Sequence, residues 1–169
     1  LYSNYLFSND TLPDWIQALH LDGRDRLWIG TRGSGLFTYD RKTSTAHVHP
    51  YELSNPGTIK SRIIWSILEH PEGILWIGGD SGLNRLDTRT MESEHFWPDP
   101  KRRSYYGPNY IMDLCPDSRG NLWIATMHGG LVRFHIESRT FSFHKKSKEN
   151  PGGVHATGLI SVAVDEHEM

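Results

Sequence analysis

The segment 98–109, PDPKRRSYYGPN, sets Arg102 and Arg103 beside Tyr105 and Tyr106. Flat aromatic faces next to multidentate donors suit a sugar, whose ring stacks on the aromatic while its hydroxyls take hydrogen bonds from a guanidinium. Trp15, Trp65 and Tyr110 stand at the entry of short alternating runs, and Arg32, Asp80 and His128 occupy short turns. If these runs and turns meet at one rim, the candidate ligand-binding residues are Tyr105, Tyr106, Arg102, Arg103, Trp65, Tyr110, Arg32, Asp80 and His128. A solvated basic loop whose tyrosines pack on a neighbour fits the same residues.

Other chemistries have weaker claims. The turns Asp22 to Asp25 and Asp117 to Asn121 put carboxylates beside glycine, but a calcium ion wants more oxygens than either supplies. An Asp side chain capping its own turn explains them, and a similar turn manages with His70 and Glu72. The spacing also resembles the Asp-boxes of sialidases, one residue longer. His47 and His49 share a strand face at two-residue spacing, yet no third zinc ligand clusters with them, so a solvated face is expected. Cys115, the only cysteine, is expected as a packed, inert thiol; it permits no intramolecular disulfide. Neither a metal nor a cofactor is expected. No nucleophile elbow, phosphate loop or helix-borne His pair occurs. A lyase or glycosidase would have to draft Glu52, Asp80 and His128 from separate loops.

Composition bounds the elements that must carry these residues. The 169 residues hold 18 Lys plus Arg and 20 Asp plus Glu, a net charge of −2 that argues against nucleic acid or an anionic membrane as partner. Six Trp, seven Tyr and six Phe beside sixteen Gly and nine Pro suit short strands and turns. There is no run of about 18 apolar residues and no basic-then-apolar start, so neither a spanning helix nor a signal peptide is expected.

A repeat organises the chain. Asp22 to Asp40 reads DGRDRLWIGTRGSGLFTYD, His70 to Asp87 HPEGILWIGGDSGLNRLD, and Asp117 to His135 DSRGNLWIATMHGGLVRFH. The anchor tryptophans are Trp28, Trp76 and Trp123, at a period that accommodates four short strands with their turns. Each unit has an alternating run, a glycine turn, Leu-Trp-Ile, another glycine turn and a second alternating run, which are hairpin signals. The fold class is therefore all-β, with four-stranded antiparallel β-propeller blades.

The repeats fall at about 15–50, 63–98 and 110–145. Segment 1–14 resembles the end of a preceding blade, and Leu159 to Asp165 within 159–169 matches the inner strand of a fourth, so 1–169 reads as a partial propeller. Two copies pairing their leftover strands would still lack the middle strands of the shared blade. The tryptophans and the isoleucines after them are expected as core between blades, because stacked blades need a bulky residue at a constant position.

The units DSRGNLWIATMHGGLVRF and DGRDRLWIGTRGSGLFTYD resemble the two-component regulator propeller repeat, approximately D-x-x-G-x-L-W-x-G-T-x-x-G-G-L-x-R. Departures are Asp25 for the first turn glycine, His70 for the leading Asp, Gly79 for the Thr and Ala125 for a glycine. The resemblance implies the periplasmic sensor part of an inner-membrane hybrid histidine kinase, recognising oligosaccharides or another small ligand. Its partners would be the remaining blades of the parent chain and a second copy of the parent. Phosphotransfer would belong to the parent, so this segment is expected not to be an enzyme. The alternatives are a carbohydrate-active or lyase propeller and a protein-interaction scaffold.

Overall fold

The computed structural model describes residues 15–49, 51–52, 54–55, 57–101, 107–148 and 150–165. These form three four-stranded antiparallel sheets, each in simple up-and-down order, with no helix among the described residues. The first sheet holds β1 (Ile16–Leu21), β2 (Arg26–Thr31), β3 (Leu36–Asp40) and β4 (Thr45–His49). The second holds β5 (Ile64–Glu69), β6 (Ile74–Gly79), β7 (Gly82–Asp87) and β8 (Ser93–Phe96). The third holds β9 (Ile111–Pro116), β10 (Asn121–Thr126), β11 (Gly130–His135) and β12 (Thr140–Phe143). The inner strands β1, β5 and β9 are neighbours in that order, as propeller blades require.

Alternation along β2, β6 and β10 builds the core. Trp28 and Leu36 of the first sheet pack on Ile64, Leu75, Ile77 and Leu86 of the second. Trp76 and Leu83 of the second pack on Ile111, Leu122, Ile124 and Phe134 of the third. Each blade thus turns a tryptophan face toward the aliphatic face of its successor. Trp28 and Trp76 are 0 % and 1 % exposed. Trp123 is only half-buried. It lines a cleft of about 430 Å³ with Leu131 and Val162 to Asp165.

Leu159 to Asp165 is not a strand, contrary to the sequence expectation. A strand exists by its ladder, and this segment forms none: Leu159 N donates to Thr126 O, while Val162 N and Ser161 Oγ donate to Asp113 Oδ2. Segment 1–14 lies outside the described residues.

The departures from the repeat have local causes. Gly73 and Gly120 take φ of 84° and 78° in the turn before the tryptophan strand, and Asp25 takes φ of 66° in the first copy. Asp is one of the few side chains that tolerate this left-handed region. At Gly78 an added Cβ would stand 2.4 Å from Ile111 Cγ2 of the next blade, so blades two and three approach as closely as glycine permits.

Candidate functional site

At one end of each blade, the turn after the tryptophan strand meets the entry to the inner strand. Arg32 N donates to Trp15 O, Asp80 N to Ile63 O and Met127 N to Tyr110 O, at 2.9, 3.1 and 2.9 Å. The same turns reach the following blade: Gly35 N donates to Arg62 O, Gly82 N to Asn109 O and Gly130 N to Thr157 O, at 2.9, 2.7 and 2.8 Å. These six bonds define a single rim that gathers the turn and inner-strand candidates.

Trp65 and Tyr110 come together on this rim, ring centroids 6.1 Å apart and planes tilted by 50°. Trp65 is half-buried and sits where a bulge interrupts the pairing of β5 with β6. Its Nε1 is shut away from solvent with no acceptor among the described residues. Tyr110 is 1 % exposed, so its ring supports Trp65 from behind instead of facing solvent. Nearer the first blade, the Arg32 guanidinium lies 5.4 Å above the exposed Trp15 ring.

Asp80 serves the rim's own backbone: its Oδ1 accepts from Arg62 N and Ile63 N at 3.1 and 3.4 Å. Burial raises its pKa above the ordinary carboxylate value, and those backbone N–H groups only partly oppose the rise. His128 is exposed on the β10–β11 turn. Arg102, Arg103, Tyr105 and Tyr106 lie outside the described residues.

The opposite rim holds the Asp turns. Asp22 Oδ2 accepts from Trp28 Nε1 at 2.9 Å and from Arg26 Nε at 2.8 Å, while Oδ1 accepts from the backbone of Arg24 and Arg26. Asp117 repeats the pattern with Trp123 Nε1 at 3.0 Å, the backbone of Arg119 and Asn121, and the Asn121 amide. Burial pulls both carboxyls upward, yet these donors outweigh it and hold both below the ordinary value. Their lone pairs are spent on the fold, which fits turn capping. In the second copy Trp76 Nε1 donates instead to the His70 carbonyl at 2.7 Å. Among the described residues no three His, Cys, Asp or Glu side chains gather to hold a metal.

His49 departs from the solvated face expected for it. It stacks on Trp28 and shares a hydrogen bond of 3.1 Å with Thr38 Oγ1; His47 alone is exposed. The positions opposite Leu36, Leu83 and Leu131 are His49, Phe96 and His144, and each ring lies on its repeat tryptophan. That ring was legible as an aromatic recurring in every outer strand, but two histidines disguised it as ligand chemistry. Cys115 is half-buried, with Sγ 3.7 Å from the Pro116 carbonyl. Also missed was Lys60, buried in the loop before β5, whose Nζ donates to the carbonyls of Glu52 and Asn55.

Three stacked sheets joined by one shared rim are successive β-propeller blades, and solved structures share the arrangement. An extracellular domain assigned to a hybrid two-component system of B. thetaiotaomicron superposes with TM-score 0.68 at 19 % identity, over 80 % of this chain and 19 % of that one. One assigned to a one-component system of the same organism gives 0.69 at 17 %, over 95 % and 20 %.

Residues 58–81 and 105–128 match the two-component regulator propeller family, each stretch as one repeat. It is also 29 % identical over 89 residues to histidine kinase P4 of Formosa agariphila, covering 51 % of this chain and 6 % of that protein. The chain therefore spans about a fifth of each solved domain and a small fraction of the kinase.

Proposed function

We propose that this chain is part of an extracytoplasmic sensor propeller of a two-component regulator and that its loop-bearing rim takes an oligosaccharide. The observation that carries the ligand reading is the Trp65–Tyr110 pair: a half-buried indole, backed by a buried phenol, at the end of the blades where the long loop 98–109 returns to the sheet. An indole supported from behind is a platform for the apolar face of a sugar ring, with arginines on the same loop to bind hydroxyls. The repeat family and the likeness to extracellular domains of two-component systems support a sensor outside the cytoplasm. Phosphotransfer falls to other parts of the parent. Capture of a ligand acts through differential affinity for two arrangements of the receptor.

Titration calorimetry of the protein against neutral and acidic glycan oligomers tests this. Saturable heat is expected with at least one, and Trp65→Ala is expected to weaken that affinity about tenfold, on the order of the worth of one stacked aromatic. Absence of heat across the panel would overturn the reading.

A further inference from the structure

Asn109 is 1 % exposed and makes three contacts that no other rim residue combines. Its Nδ2 donates to the Asp99 carbonyl at 2.9 Å, and its Oδ1 accepts from Asp99 N at 2.8 Å. A side-chain amide therefore pairs with both polar groups of one backbone residue, as a neighbouring strand would, and draws together the two ends of the loop 99–109. The third contact is backbone: Asn109 O accepts from Gly82 N, where the β6–β7 turn enters β7, at 2.7 Å. That turn is held from a second side, since His95 Nε2 lies 2.5 Å from Ser81 O. Tyr110, the next residue, backs Trp65.

We infer that Asn109 is the positioning residue of the rim: it fixes the base of the loop 99–109 relative to Trp65 and ties that base to the turn of the preceding blade. The chemistry selects asparagine. Aspartate offers a second acceptor where Asp99 O needs a donor, and alanine offers neither group. At the equivalent point before β5 stands Arg62, whose carbonyl also accepts from the preceding turn, through Gly33 N and Gly35 N. There the loop is drawn in by Lys60 instead. Joining loop closure and blade contact in one residue belongs to Asn109. Because the loop base and the blade contact share this residue, a ligand bound at the loop base would also favour one setting of the joint between blades two and three.

The inference rests on the proposed rim site for its consequence in binding, but the clamp is testable without a ligand. Lys101, Arg102 and Arg103, between Asp99 and Asn109 in the sequence, are trypsin sites. Limited trypsinolysis with mass mapping would compare the wild type with Asn109→Ala, Asn109→Asp and Ile124→Val, the last a core variant that lowers stability without touching the loop. Cleavage after these three residues is expected to rise about tenfold or more in both Asn109 variants, with other sites unchanged, and to stay at the wild-type rate in Ile124→Val. Unaltered loop cleavage in Asn109→Asp, or a rise spread evenly over the chain, would overturn the clamp. With a glycan that binds the wild type, the Asn109 variants are expected to lose affinity several-fold; equal affinity would overturn the positioning role. Failure of every glycan to bind the wild type would sink the proposed function and leave the trypsin result to decide the clamp.

Discussion

The imidazole of His49 lies nearly flat on the indole of Trp28, ring centroids 5.1 Å apart and planes inclined by 27°. Burial, with the nearby charges of His47 and Arg26, pushes its pKa from the ordinary 6.5 down to about 4. His144 on Trp123 is lowered too, by burial and Arg133. In the second blade Phe96 fills the same place without titrating. The outer strand closes each tryptophan with a neutral ring, and two of the three rings resist protonation.

The folded state binds fewer protons at His49 than the unfolded state between pH 4 and 6.5. Stability from this group is complete above about 6.5 and is lost as pH falls through 4, by on the order of 3 kcal/mol. Denaturant melts across that window should show the decline. His49→Phe, copying the second blade, should flatten it, and an unchanged slope would show that His49 titrates freely.

Asp22 and Asp117 have lowered pKa values, so their contribution is present above the unfolded carboxylate value, near pH 4, and disappears as pH falls below it. Asp117→Ala orphans the Trp123 indole N–H and two backbone donors and should cost about 2–4 kcal/mol at pH 7. Chemical denaturation at pH 7 and pH 3 checks both statements. A loss at pH 3 as large as at pH 7 would contradict the ionic cap.

Gly78→Ala should destabilise by about 1–3 kcal/mol, because the new methyl overlaps Ile111 of the adjoining blade. Gly152→Ala, with open space around its Cβ, should change the midpoint by less than about 0.5 kcal/mol. Thermal unfolding of the pair gives the comparison, and equal midpoints would mean that blades two and three can slide apart freely.

His20 Nε2 meets Glu69 Oε2 at 3.0 Å across the joint of blades one and two. A double-mutant cycle with His20→Ala and Glu69→Gln should return a coupling of about 0.5–1 kcal/mol. Glu69 also holds Gly73 N through Oε1, so the single Glu69 change should cost more than the coupling itself.

The strands were legible because Leu-Trp-Ile recurs between glycine turns and alternation separates a tryptophan face from an aliphatic one. Pairing was not. Leu159 to Asp165 carries an inner-strand pattern, yet pattern cannot supply the partner that turns an extended segment into a strand. At the rim, position in the repeat set Trp65 and Tyr110 at the entries of inner strands but gave no way to tell which ring is buried, since packing decides that. Asp80 stood among the ligand-binding candidates because two of its partners, Arg62 N and Ile63 N, are backbone groups with no signature in residue type. Asn109 stayed hidden for the same reason.

The amide bonds from Gly35, Gly82 and Gly130 all run forward, from the turn of one repeat to the entry of the next. No described turn reaches backward in this way. Each of these turn donors thus finds its protein acceptor in the following repeat, so every unit is completed by the next one along the chain.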